Sequence, residues 1–221
     1  MTRTFNHECA FAKATPDTST RTFSGKLLLV QAYSLGIDVI SGCWLVFVAV
    51  WVIAAGSTKR TVYRETQAQR LHYWVLLVIA WLLLFNGREL PYPLSLRIIP
   101  HATAIACAAA ALCVAGLAFA LWARLTLGRN WSGVVTLKEG HELMKRGPYR
   151  FVRHPIYSGM LTMFFATALA QRHIAGFAGV LLMFASFWIK LGREEKLMLQ
   201  QFPEQYRAYQ QRAKRIIPFV V

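Results

Sequence analysis

Residues 102–123 read ATAIACAAAALCVAGLAFALWA, an unbroken apolar run of 22 positions with no charged side chain. As a helix rising 1.5 Å per residue it extends about 33 Å, enough to cross a hydrocarbon core of about 30 Å. Four further apolar blocks flank it. One runs from Leu35 to Ala55, with a possible start at Leu27, and the next from Leu71 to Phe85. The last two, Ile156–Ala170 and Ile174–Leu191, are separated only by Gln171, Arg172 and His173, which predicts a tight helical hairpin. The blocks beginning at Leu71 and Ile156 are short for a span and must borrow flanking residues or tilt little.

Composition agrees with a membrane class. The chain is 56% apolar and only 16% charged, whereas a soluble domain is nearer half apolar and a quarter charged. The net charge of +15 fits either a nucleic-acid surface or loops facing anionic headgroups. Apolar blocks between the basic loops assign it to the lipid bilayer, and nucleic acid is not an expected partner. Cys43, Cys107 and Cys113 lie inside apolar runs and are read as small buried hydrophobes, with Cys9 in a polar tail. Neither a disulfide framework nor a metal site is expected, because no C-x-x-C pair or His/Cys cluster at zinc-ligand spacing occurs. Residues 1–25 lack the apolar core of a signal peptide and read as a poorly ordered extension.

If all five blocks span, the alternating loops divide unequally. One side carries 7 Lys/Arg and the other 18. Positive residues prefer the cytoplasm, so the N-terminus is expected outside and the C-terminus inside. The expected fold is therefore all-α and polytopic, with about five transmembrane helices and a cytoplasmic helical tail. Its parts are a polar extension (1–33), three transmembrane helices (34–123) and a functional module (124–221) containing the hairpin 156–191. In the third helix, Ala104, Ala108, Ala111, Ala115 and Gly116 offer small faces for helix packing. Asp38, an acid inside the first block, is either a functional candidate or a side chain near the outer interface.

Chemistry concentrates between residue 124 and the fourth block. Gly147–Gly159 reads GPYRFVRHPIYSG. Pro155 disfavours helix at the preceding residue and suits the first helical position, so His154 is placed at or just before an N-cap. The free N–H groups of that helix end, with Arg150 and Arg153 beside it, could hold an anion. Tyr157 would add a hydroxyl and a flat ring, and Gly159 permits close backbone approach. A basic loop gripping lipid headgroups is the competing reading. Beyond the fifth block, Glu194 and Glu195 mark the membrane exit, on the same side as His154. They either serve a site or merely pair with Arg193 and Lys196. Leu199, Phe202, Tyr206 and Tyr209 recur at helical spacing, and Pro203 should divide this stretch into two helices.

Taken together, GPYxxxRHPxYxG, then EExxL, then FxxxYxxY resemble the isoprenylcysteine carboxyl methyltransferase family and its phospholipid methyltransferase relatives. The likeness covers roughly Leu127 to Pro218. It implies a membrane methyltransferase whose last helices and loops wrap S-adenosyl-L-methionine at the cytoplasmic face. By position, His141, Glu142, Leu143, Met144, Tyr149, His154, Pro155, Ile156 and Tyr157 match the family's cofactor contacts, and Glu194 a cofactor-binding acid. Arg153 falls on the R-H-P arginine. Lys190 stands where eukaryotic members carry an arginine facing the substrate carboxylate, so Arg153, Lys190 and Glu194 are the implied catalytic set. A lysine is a point charge and not a bidentate fork.

The implied acceptor is lipophilic, a small molecule or a prenylated group, and carboxyl O-methylation is the leading reaction. An amine acceptor would need a base such as Glu194 or Glu195. A sterol-reductase-like enzyme using NADPH shares the tail architecture and remains the alternative, as does a non-catalytic protein with a vestigial pocket. No part of this reading fixes an oligomeric state.

Overall fold

The computed structural model of the chain describes residues 18–55, 61–64, 67–128, 136–138 and 143–217. Among these residues six helices carry the architecture: α1 (Thr18–Ala55), α2 (Gln67–Asn86), α3 (Thr103–Leu127), α4 (Pro155–Gln171), α5 (Ile174–Gln201) and α6 (Pro203–Arg212). A 3-10 turn, Gly147–Arg150, precedes α4. Two short strands that the apolar blocks do not foretell, β1 (Thr61–Arg64) and β2 (Thr136–Lys138), pair antiparallel.

Among the described residues, three helices are long and apolar enough to cross a bilayer: α3, α5 and residues Val30–Ala54 of α1. Large apolar side chains such as Leu45, Ile53, Leu125 and Leu181 are exposed on their outer faces, where lipid is the compatible solvent. The chain is an integral membrane protein. The apolar part of α2 is Leu71–Asn86 and α4 has 17 residues, both short of the roughly 20 needed for an untilted crossing. Helix α1 starts at Thr18, well inside the expected 1–33 extension. Residues 1–17, with Cys9, lie outside the described residues.

Helix α4 is the centre. One of its faces joins α1 and α3 around Phe47, Cys113, Ala120, Met163 and Ala166. The other joins α2 and α5 around Leu84, Phe164, Ala168, Met183 and Phe187. A helix enclosed on both sides needs no polar stripe, which is why α4 reads as apolar all round. The α3–α4 crossing is set by two glycines. A Cβ on Gly159 would lie 2.5 Å from the Gly116 carbonyl oxygen and 2.8 Å from the Ala120 nitrogen, so the two backbones touch.

This crossing corrects the expected small face of α3. Gly116 is buried, but Ala104, Ala108, Ala111 and Ala115 are exposed. The packed face is Ala106, Ala109, Ala110, Cys113, Leu117 and Ala120. Both sets follow the helical repeat, and in a run this rich in alanine composition cannot tell the packed side from the lipid side. Cys107 corrects likewise: Cys43 and Cys113 are buried, but Cys107 is exposed.

Candidate functional site

The local signals around α4 act as the chain's backbone chemistry requires. His154 is the N-cap and Pro155 the first helical residue. At the other end α4 closes at Arg172, in the left-handed region (φ 70°), and α5 opens at Ile174, giving the expected hairpin. Helix α5 continues beyond Leu191 to Gln201, and α6 begins at Pro203, so the break falls where proline predicts it. The aromatic stripe is a packed seam: Tyr206, Tyr209 and Ala213 are buried with Leu199 and Phe202 against them.

After α6 the chain turns back alongside the start of α4. Val152 and Lys214 form a parallel bridge. The Arg153 N–H donates to the Lys214 carbonyl at 2.7 Å and the His154 N–H to the Arg215 carbonyl at 3.1 Å. Ser158 Oγ donates to the Ile216 carbonyl, and the Tyr209 hydroxyl to the Tyr149 carbonyl. Burial pushes the phenols of Tyr149, Tyr206 and Tyr209 well above their ordinary pKa. They are therefore neutral, and those of Tyr149 and Tyr209 donate hydrogen bonds to backbone carbonyls.

The two exit acids have different surroundings. Successive helical residues are turned by about 100°, and that rotation sends Glu194 and Glu195 to different neighbours. Glu195, 5% exposed, is the hub of an interior network. Its Oε1 accepts from Arg153 Nε at 2.8 Å and lies 3.2 Å from His154 Nε2. Its Oε2 accepts from Arg215 Nη2 at 2.7 Å and from Gln210 Nε2 at 3.5 Å. Arg153 Nη1 also donates to the carbonyls of Ala213 and Gln210, and the Arg215 guanidinium stacks 4.2 Å from the Trp188 ring centroid.

Glu194 instead faces a cavity. It accepts from the Tyr157 hydroxyl at 3.0 Å, and its other oxygen is 3.7 Å from His154 Nδ1. Lys190 Nζ lies 3.8 Å away, one helical turn back, and 5.2 Å from the Tyr157 ring centroid. His154 thus stands between the two acids, one at each ring nitrogen.

The cavity holds about 330 Å³, within the lower range of small-molecule sites. Its lining includes the polar side chains of Tyr149, Arg153, His154, Tyr157, Lys190 and Glu194 and the apolar or aromatic ones of Phe47, Trp51, Tyr73, Trp74, Leu77 and Phe187. Parts of the chain far apart in sequence therefore meet at one chamber, where ionisable groups and aromatic rings stand side by side. Lys190 Nζ is 6.0 Å from the Tyr73 ring centroid, and the Tyr157 ring 4.9 Å from that of Phe187.

Most of the expected site residues converge here. Tyr149, Arg153, His154, Ile156, Tyr157, Lys190 and Glu194 all line the cavity. Three others do not. Leu143 packs on the Tyr206–Tyr209 seam, Met144 packs behind Tyr149 and Ile156, and Pro155 is buried as the first residue of α4. His141 and Glu142 lie outside the described residues. The anion site expected from Arg150 and Arg153 is corrected. Arg153 is neutralised by Glu195, while Arg150 is exposed with its guanidinium over Phe151. The acid already bound at this helix start is the chain's own. Sequence reasoning also missed the hub role of Glu195 and the part of Arg215, whose only signal was its place in a basic tail. The walls from α1 and α2 carry no motif beyond aromatic residues near helix ends.

The profile of the phospholipid methyltransferase family matches residues 104–205. Protein-S-isoprenylcysteine O-methyltransferase B of Arabidopsis thaliana is 32% identical over 99 residues, 43% of this chain and 50% of that protein. Methanethiol S-methyltransferase 1 of Bradyrhizobium diazoefficiens is 34% identical over 71 residues, 32% of this chain and 24% of that protein. A solved structure of the eukaryotic intramembrane Ras methyltransferase, isoprenylcysteine carboxyl methyltransferase, aligns with 72% of this chain and 55% of that one, at 23% identity and a TM-score of 0.48. The chain spans about half the length, or less, of these curated relatives. Over that shared half it is similar to the phospholipid and isoprenylcysteine methyltransferases, as the motifs imply.

Proposed function

We propose, from a C-terminal half that is phospholipid and isoprenylcysteine methyltransferase-like, that this chain transfers a methyl group from S-adenosyl-L-methionine to a lipophilic acceptor. The observation that carries the reading is the mixed lining of the cavity. Glu194 supplies a carboxylate, and aromatic side chains of α1, α2 and α5 stand around it. The relatives matched are methyltransferases by name, which favours transfer over the NADPH-dependent reduction considered above.

The residues fit the cofactor's chemistry. S-adenosylmethionine, when bound, supplies an electrophilic methyl group on a positively charged sulfonium. Glu194 would compensate a cationic group of the cofactor, and the Tyr157 hydroxyl and the His154 ring hold that carboxylate in place. Tyr149 and Ile156 offer flat and apolar surface beside it. The aromatic walls exclude water, which strengthens electrostatic contacts inside and favours alignment of the reactants. Carboxyl O-methylation is the leading reaction, because a carboxylate is already ionised at neutral pH and needs no base. Lys190, in the cavity wall beside Glu194, would steer such an anion. An amine acceptor would first have to lose a proton, and the acid nearest the cavity is already engaged with Tyr157, His154 and Lys190.

The same proposal takes all five of α1 to α5 as membrane spans, with the N-terminus outside and the start of α4, with Glu194, toward the cytoplasmic face. A reporter fused after Val221 should read cytoplasmic, and an external signal would overturn this orientation. For the activity, calorimetry of the detergent-purified protein should show saturable binding of S-adenosylmethionine. His154→Ala and Glu194→Ala should each weaken it at least tenfold, about 1.4 kcal/mol. Binding of NADPH in place of S-adenosylmethionine would refute the reading.

A further inference from the structure

At the end of the bundle away from the cavity, one arginine is buried without an acceptor. Arg172 closes α4, whose 17 residues put it roughly 25 Å along the helix axis from His154. It is 7% exposed. Its Nε has no hydrogen-bond partner, and among the described residues no carboxylate forms an ion pair with it. Its guanidinium carbon lies 5.7 Å from the Tyr33 ring centroid. That is near the outer limit of a useful cation–π contact.

The rest of the chain treats interior arginines differently. Arg153 is neutralised by Glu195, and Arg124 donates to the carbonyls of Gly128 and Ala54. A buried cation without a counter-charge is strongly disfavoured. Glycine best serves a helix end in the left-handed region. The dipole of α4 favours a cation at its C-terminus, but that is only about half an elementary charge, less than a full counter-charge.

The neighbours form a fixed wall around this cation. Tyr33 stacks on His101 with centroids 4.1 Å apart, and its hydroxyl donates to the Ala170 carbonyl. The loop joining α2 to α3 is tied to the turn: Ile98 N–H donates to the Arg172 carbonyl, and Ile174 and Ala175 donate to the carbonyls of Leu96 and Leu94. His173 Nδ1 lies 2.7 Å from the Ser95 carbonyl oxygen. The loop also exposes Tyr92, Leu96 and Ile98. An aromatic ring and aliphatic chains beside helix ends are what a segment at the headgroup level presents.

We propose that Arg172, with Tyr33 and His101, is a binding site for a phosphate oxyanion at the membrane face opposite the cavity. A lipid phosphodiester and a free phosphate share this chemistry, and the position at the helix ends favours the lipid. The test is thermal unfolding of the full chain in a neutral detergent, with three probes: dioleoyl phosphatidylglycerol, dioleoylglycerol and inorganic phosphate. Phosphatidylglycerol should raise the Tm by about 5 °C or more, and dioleoylglycerol should not. An equal rise with inorganic phosphate would assign the site to the free anion. Arg172→Gln should abolish the rise while its Tm in detergent alone is no lower than wild type, because a buried unpaired charge has been removed. His101→Ala, which leaves Arg172 in place, should reduce the rise and supplies the test if Arg172→Gln does not fold. Equal responses to phosphatidylglycerol and dioleoylglycerol, or a full rise in Arg172→Gln, would overturn the proposal.

Discussion

Replacing Glu195 by Gln, and in parallel Glu194 by Gln, separates two neighbouring acids that sequence cannot distinguish. Glu195 is the counter-charge for Arg153 and Arg215, whose side chains are 11% and 17% exposed. Removing one partner of a buried pair costs about 3–5 kcal/mol, chiefly because the other charge is left uncompensated. Glutamine keeps the shape and one acceptor oxygen, but its NH2 must face a guanidinium that also only donates. Arg215 retains some solvent and its contact with Trp188, so the lower end applies, about 3 kcal/mol. For a chain of this size that corresponds to a Tm lower by roughly 6–12 °C.

Glu194→Gln should behave in the opposite way. Its carboxylate faces the cavity and has one hydroxyl donor, Tyr157, which an amide oxygen can still accept. Its Tm should stay within about 3 °C of wild type, the effect of roughly 1 kcal/mol. Its affinity for S-adenosylmethionine should fall at least tenfold, about 1.4 kcal/mol. Melting curves and calorimetry on the same preparations read both quantities. If Glu195→Gln melts like wild type yet loses the cofactor, while Glu194→Gln binds normally, the division of roles argued from the geometry is wrong.

Two further outcomes follow from packing and charge. Gly159→Ala places a methyl group against the Gly116 carbonyl and the Ala120 nitrogen, both backbone atoms that cannot swing aside, so about 1–3 kcal/mol of stability should be lost; an unchanged melting temperature would show that α3 and α4 separate readily. Lys190→Met should lower kcat/KM for a carboxylate acceptor at least tenfold, about 1.4 kcal/mol of transition-state stabilisation. It should leave S-adenosylmethionine affinity no weaker, since it removes a competitor for Glu194. Equal loss for an uncharged acceptor would exclude lysine as the group that recognises the anion.

What could be read from sequence was decided by local backbone chemistry. Pro155 fixes where α4 starts, Pro203 fixes where α6 starts, and the three residues 171–173 leave room only for a tight hairpin. Each of these depends on atoms within a turn or two of the residue itself. The alanine-rich face of α3 is the counterexample. Ala104 and Ala106 have the same side chain, yet Ala104 is exposed and Ala106 is buried beside Gly36, so the choice between lipid and protein is made by another helix, α1. Trp51 and Trp74 are similar cases. Neither belongs to a motif, and only the folding of α1 on α3 and α4 and of α2 on α5 brings them to the cavity.

The same reasoning explains why Glu194 and Glu195 could not be told apart. Identical in chemistry and adjacent in sequence, they differ only in what the rest of the chain brings to each side of α5. The segment after α6 delivers Arg215 and the Ala213 carbonyl to one side, where Arg153 is pinned and Glu195 is fully used. His154, held by its backbone N–H to the Arg215 carbonyl, then spans both acids. A site that needs one acid poised toward a cavity gains from a second that immobilises its neighbours, since the first acid's position is then set by a rigid histidine and tyrosine. On the proposed function the paired glutamates would be one structural acid and one functional acid, and the tail beyond Pro203 would belong to the site although only one face of α6 is buried.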